Sequence, residues 1–190
     1  MSFRNNDEGF TGLEAAIVLI AFVVVAAVFS YVVLGAGFFT TQKSQEVVHT
    51  GVQQASSTLE IVGNVYGIAL AAGGPIDNVN FSVALAPGGT SVDFSKVVIT
   101  YSNATQLETL TEGTKGGLAG TSQWTIAEVQ NELTADQTLE KGETFFINVK
   151  PKNGIIANDV FDIAIQPSIG ASLGVHRTAP ASIQIINILY

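Results

Sequence analysis

Several groups of residues have types and spacing that could do chemistry. Gly170, Ala171, Ser172, Leu173 and Gly174 fit the G-x-S-x-G pattern of a hydrolase nucleophile, with His176 as the only base downstream. That mechanism needs a sharp strand-to-helix turn that exposes the serine. The segment instead runs on to Pro180 and a closing apolar alternation with no helical period, and no acid lies between the serine and the histidine. It is read as a glycine-rich hairpin. His49 and His176 are the only histidines and cysteine is absent, so no zinc set is supported. Asp77, Asn78 and Asn80, and the pair Asp159 and Asp162, carry oxygens that could face calcium. Neither set has the spacing or charge density of a dedicated loop, and both are read as surface loops. Two sequons, Asn80-Phe81-Ser82 and Asn103-Ala104-Thr105, offer N-glycosylation acceptors, which matter only if their domain is extracellular. Asn103 is expected in the better exposed setting. The residues imply no catalytic group, no cofactor and no metal.

The elements that must position these residues are dominated by one stretch, FTGLEAAIVLIAFVVVAAVFSYVVLGAGFF from Phe10 to Phe39. From Ala15 to Phe39 no side chain is charged, and only Ser30 and Tyr31 bring polar atoms. About 25 residues of helix span roughly 37 Å, enough to cross a ~30 Å hydrocarbon layer. The run is apolar on every face, so it belongs in lipid or among other helices.

Before it stands MSFRNNDEG, short and polar. A secretory signal places its cut after the apolar core, at small residues. Here the step from polar to apolar falls before the core, at Gly9 and Phe10. A cut between them leaves the apolar run as the new N-terminus. Glu14 lies inside that run, and a carboxylate there costs up to ~3 kcal/mol at a bilayer centre. Either it stays solvated in the head-group layer, or it meets a positive partner such as the new amine of Phe10.

After Phe39 the pattern becomes amphipathic. Val48, Val52, Ala55 and Leu59 recur at helical spacing, which predicts a helix continuing to about Leu59, with Gly51 inside it at a cost of roughly 1 kcal/mol. Gly35 and Gly37 either interrupt the helix or allow close packing. Beyond Gly63 short runs alternate with glycine-bearing turns such as GGPIDN, APGGTS, TEGTKGGLAG and PKNGIIAN. The runs are VNFSVAL, VDFSKVVITY, WTIAEV, ETFFINV, VFDIAI and ASIQIINIL. In ETFFINV, Phe145, Ile147 and Val149 fall on one face, opposite Phe146 and Asn148. The expected class is α+β, a long N-terminal hydrophobic α-helix followed by an antiparallel, immunoglobulin-like β-sandwich. The expected organisation is 1–9 leader, 10–62 helix and 63–190 β-sandwich domain.

Of 190 residues, 8 are Lys or Arg and 16 are Asp or Glu, a formal charge of -8. Such acidity argues against nucleic acid and leaves no polybasic patch for anionic lipid. The lack of cysteine excludes a disulfide framework and a thiol nucleophile.

A charged leader ending in Gly9, then Phe10, then Glu14 at the fifth mature position inside an unbroken apolar helix, resembles the class III signal of type IV pilin-like proteins. The continuation through TTQKSQEVVHTG into a Gly-, Val- and Thr-rich β region resembles an archaellin, the archaeal flagellin. The likeness is strong from Asp7 to about Leu59 and looser beyond, where LAPGG, SKVVITY and HRTAPASI are similar to the family's outer domain. Asp7 and Glu8 stand where many members have Lys or Arg. The resemblance implies a motility filament subunit on the cell surface, cut by a prepilin-type peptidase. Identical or paralogous subunits would be its partners, and a membrane platform and an ATPase would supply the work. It also implies N-glycosylation at Asn80 and Asn103 and favours the paired role for Glu14. The alternatives are an adhesive type IV pilin and a binding module on a plain membrane anchor.

Overall fold

The computed structural model describes residues 7–190, with side chains from Gly12 onward apart from those of Gln53, Ala55 and Ser56. The expected leader therefore lies mostly outside the described residues. Of Gly9 and Phe10 only the backbone, in the helix, is described. The chain divides after Thr50 into two units.

Helix α1 runs without interruption over Asp7–Ser56, about 75 Å at 1.5 Å per residue. Gly35, Gly37 and Gly51 all lie within it, so none of them breaks it. Thr40, Thr41 and Thr50 turn their hydroxyls back on the helix. Thr40 donates to the Ala36 carbonyl at 2.8 Å and Thr41 to that of Gly37 at 2.9 Å, which leaves neither donor seeking an outside partner. Ser57 and Thr58 follow its last turn, residues of a type that competes with the backbone ladder.

Here the structure departs from the expected stripe. Leu59, counted as its last helical position, opens the first strand instead, because Leu59, Ile61 and Val65 can reach the β core from an extended backbone. Leu59 and Val65 are buried there.

The second unit is built of β1 (Leu59–Ala69), β2 (Ile76–Leu85), β3 (Val92–Asp93), β4 (Val98–Asn103), β5 (Leu107–Glu112) and β6 (Gln123–Gln130). These are followed by β7 (Thr138–Leu139), β8 (Thr144–Lys150), β9 (Val160–Gln166), β10 (Leu173–Thr178) and β11 (Ile186–Leu189). Nine strands lie in the order β10-β9-β4-β5-β6-β8-β2-β1-β11, and β3 pairs with β7 alone. All neighbours are antiparallel except β5 and β6. These two run parallel through Thr111–Gln123 and Glu112–Trp124 and join the four-stranded layer to the five-stranded one. The outermost strands meet at one point, where the Thr178 N–H donates to the Tyr190 carbonyl at 2.8 Å.

The core lies between the layers. Phe81, Phe145, Ile147, Val149 and Trp124 on one side meet Ile99, Tyr101, Phe161, Ile163 and Val175 on the other, all buried. Phe145, Ile147 and Val149 take the inward face of β8 as the alternation predicts. Asn148, on the opposite face, is buried as well, because its Oδ1 accepts the Ala119 N–H at 2.8 Å from the loop that follows β5. The run VDFSKVVITY is two strands, not one. A 3-10 turn over Phe94–Lys96, capped by Asp93, separates β3 from β4 and drives Phe94 inward against Phe145 at 5.1 Å between ring centroids.

Candidate functional site

The helix is the first candidate site. Between Gly12 and Val52 it is long and apolar enough to cross a membrane, with an 18-residue window of mean hydropathy 3.0. Every described side chain in that range is exposed, including Phe22, Phe29 and Phe39 at about 70%. A contiguous apolar surface of this extent far exceeds the few hundred Å² that a monomer in water tolerates. The helix therefore has no stable state in water by itself.

Charge is confined to its ends. Lys43 and Glu46 pair at 2.8 Å, one turn apart, so each answers the other. Glu14 makes no ion pair among the described residues, and it sits on the same side as Val18 and Phe22, one and two turns on. A carboxylate on an apolar stripe loses its hydration when the stripe is covered, a cost that a cation beside it offsets.

The residues singled out for chemistry are already engaged elsewhere. Ser172 lies in the loop joining β9 to β10, a strand-to-strand turn with no helix after it, so the nucleophile elbow does not exist. An Asp–His pair is nonetheless present. The His176 ring Nδ1 lies 2.7 Å from Asp162 Oδ1 across the β9–β10 ladder, a pairing that linear order hid because the acid precedes the serine. Ser172 stands four residues from His176 along the chain, roughly 13 Å in an extended strand, so no relay forms.

The oxygens considered for calcium are likewise used or dispersed. Asp77 Oδ2 accepts the Leu70 N–H at 3.3 Å across the turn between β1 and β2, and Asp159 Oδ2 accepts from Asn103 Nδ2 at 2.8 Å. Among the described residues no three His, Asp or Glu side chains converge. His49 is on α1 and His176 on β10.

The two sequons differ in how their amides are held. Asn103 is a turn-former. Its Oδ1 accepts the N–H groups of Thr105 at 3.0 Å and Gln106 at 2.8 Å and the Thr105 hydroxyl at 3.2 Å, while its Nδ2 serves Asp159. Asn80 lies mid-strand in β2, and its Oδ1 accepts from Asn148 Nδ2. Both asparagines are half-buried.

Among the buried polar groups that sequence reasoning missed are Glu143, Asn187 and the Tyr101 hydroxyl. Glu143 is 2% exposed and accepts two backbone N–H groups, from Leu133 at 2.6 Å and Glu140 at 2.9 Å. Asn187 ties β11 to its preceding loop through Gln184 at 2.8 Å. The Tyr101 hydroxyl is buried without a hydrogen-bond partner among the described residues. Burial pushes its ionisation well above the ordinary phenol range, and the nearby Asp159 and Glu108 carboxylates push it the same way. The side chain of Asn103 is the smallest of these influences and acts in the opposite sense.

An exposed apolar helix of membrane length, followed by a β-sandwich whose polar groups serve its own turns, is the build of a structural protein that assembles through its helix. Residues 9–177 match the archaeal-type flagellin family, and the chain belongs to it. "Probable flagellin 1" of Archaeoglobus fulgidus is 42% identical over 100% of this chain and 98% of its own length. The solved archaeal flagellum of Methanospirillum hungatei strain JF1 superposes with a TM-score of 0.74 at 37% identity, covering 94% of this chain and 99% of that one. A crystal structure of flagellin FlaB1 from Methanocaldococcus jannaschii, at 18% identity and a TM-score of 0.59 over 69% of this chain and 95% of that one, shares the fold. The protein is a subunit of the extracellular archaeal swimming filament and assembles with other flagellin copies.

Proposed function

We propose that the chain is made as a membrane-inserted precursor and becomes a filament subunit when a prepilin-type peptidase cuts between Gly9 and Phe10. The single observation that carries this reading is the continuous helix, uncharged from Ala15 through Gln42 and exposed on every face. Lipid hides such a surface at one stage and neighbouring helices hide it at the next. Lipid tails are as apolar as leucine, so moving the helix from one to the other yields no hydrophobic gain. Side-chain packing must hold the assembly, and outside work must extract the subunit. A membrane platform and an ATPase, carried by other proteins, supply that work.

Small residues at Ala15, Ala16, Ala21, Ala26, Ala27 and Gly35 let backbones approach closely in the bundle. Glu14 meets the amine of Phe10, on its own chain or on a neighbour, and so enters the apolar bundle as part of a pair. The β-sandwich lies outermost, with Asn80 and Asn103 as acceptors for N-linked glycans that hydrate the filament surface. The assembly is heterologous and open, each copy using different faces toward successive neighbours, and it passes torque as a passive screw.

Intact-mass and N-terminal peptide analysis of sheared surface filaments tests this. The subunit should begin at Phe10, and a filament subunit that retains residues 1–9, or one that begins beyond Phe39, overturns the reading.

A further inference from the structure

The outward face of the five-stranded layer carries a groove of about 240 Å³, and Asn80 is one of the residues that line it. We infer that this groove is a carbohydrate cradle, holding the first sugar of a glycan attached to Asn80 itself. The inference rests on the glycoprotein reading above and adds which acceptor is used and what the glycan touches.

Four features point to it. First, an extended strand sends residues two apart to the same face, so Asn80 and the Ser82 hydroxyl that completes its sequon both line the groove. Second, the amide has an orientation. Asn148, itself fully buried and fixed by the Ala119 N–H, donates to Asn80 Oδ1, and no described residue accepts from Asn80 Nδ2. The nitrogen that would carry the sugar is therefore the free half of the amide.

Third, Tyr66 pairs directly with Asn80 across β1 and β2, and Phe146 pairs with Ser82 across β2 and β8. Both rings are large, 39% and 37% exposed, and beside the acceptor. An aromatic face next to a few polar groups is the surface on which an amphipathic sugar ring can rest. Fourth, irregularities in both flanking strands frame the groove. β1 shifts register between Val62 and Tyr66, and β6 shifts between Ile126 and Glu128. Such bulges bend a strand and re-aim its side chains.

The volume is below the roughly 300–1,000 Å³ of pockets that take drug-sized ligands, which suits one ring rather than a long chain. A side chain from a second copy fits less well. An apolar knob would cover the Asn80 amide and the Glu128 carboxylate without satisfying them. At Asn103 the amide nitrogen already serves Asp159, and the turn around it offers no comparable aromatic pair.

The test uses filaments from the native host. Peptide mass analysis should find sugar on Asn80 and none in a Ser82→Ala variant, which removes the sequon but keeps the asparagine. Filaments of Ser82→Ala should melt at a lower temperature than wild type. In a Tyr66→Ala or Phe146→Ala background, where sugar is still attached, adding Ser82→Ala should have little further effect. Sugar on Asn103 with Asn80 bare overturns this inference alone, as does sugar on Asn80 with fully additive melting shifts. If both asparagines are bare, the glycoprotein reading fails and this inference fails with it.

Discussion

Gly170 is folded directly against Ser57. Its φ is +115°, and a Cβ built on it would overlap the Ser57 carbonyl oxygen that accepts the Ala171 N–H at 3.2 Å. Ser57 is the buried residue just after α1, and its hydroxyl is bonded to that of Thr90, so the loop between β9 and β10 helps fix where the β unit begins. Gly170→Ala must then fail twice, by backbone strain of about 1–3 kcal/mol and by displacing Ser57. Gly174, whose Cβ would meet nothing within 4 Å, should accept alanine with little change. Thermal melts of the two variants decide the point. Equal sensitivity would mean that the glycines serve something other than this contact.

Tyr101 sets an alkaline limit on the fold. Its ring stacks on Phe161 at 6.0 Å between centroids, while its hydroxyl is buried without a partner among the described residues. The folded-state ionisation is raised above that of the unfolded chain, so the unfolded chain loses the phenol proton first as pH rises. Stability is undiminished below about pH 10, the ordinary phenol value, and falls progressively above it. Tyr101→Phe keeps the ring and removes the orphaned hydroxyl, whose burial costs about 1–3 kcal/mol. Denaturant midpoints should show the variant at least as stable as wild type at neutral pH, with a shallower decline above pH ~10. A clear loss of stability at neutral pH would reveal a partner for the hydroxyl.

The apolar helix was legible because it needs no partner to be recognised: a run without charge or period admits few structures. The β layers were legible as a class but not in detail. β10, over LGVHRT, was hidden by glycine, and β5, over LETLTE, buries only Leu110, so neither displays a strand's usual alternation. Leu59 misled because one apolar residue can extend a helical stripe and also begin a strand. The site chemistry was hidden for a different reason. Asn103 meets Asp159 across 56 residues, and Lys152 donates its N–H to Glu108 across 44, and nothing in local spacing announces such pairs.

Glu143 is the buried carboxyl group that ties together the segment between β6 and β8. Both of its oxygens accept backbone N–H groups, and the carboxylate is 2% exposed. Glu143→Ala should cost about 1–3 kcal/mol by taking the acceptor from two part-buried backbone donors. Glu143→Gln should recover only part of that loss, because one of its two terminal atoms becomes a donor facing a donor. Urea melts of both variants measure this, and full recovery with glutamine would mean that a single oxygen does the work.

The helix has to satisfy two environments in turn, and two substitutions separate them. Val25→Asp puts a charge near the middle of the uncharged stretch, where insertion costs about 2.5–3.5 kcal/mol and no cation lies within a turn on its own chain. It should lower the amount of precursor recovered in membranes. Glu14→Gln removes a charge near the end of the stretch, so membrane insertion should be unchanged or improved. On the proposed pairing with the Phe10 amine, the glutamine leaves that cation unanswered in an apolar bundle, an imbalance worth about 3–5 kcal/mol when one member of a buried pair is lost. The expected result is processed subunit that accumulates in the membrane and is depleted from filaments, measured by quantifying the two fractions with a Phe10-starting peptide. Filaments assembled normally from Glu14→Gln subunits would show that the carboxylate stays solvated and has no part in assembly.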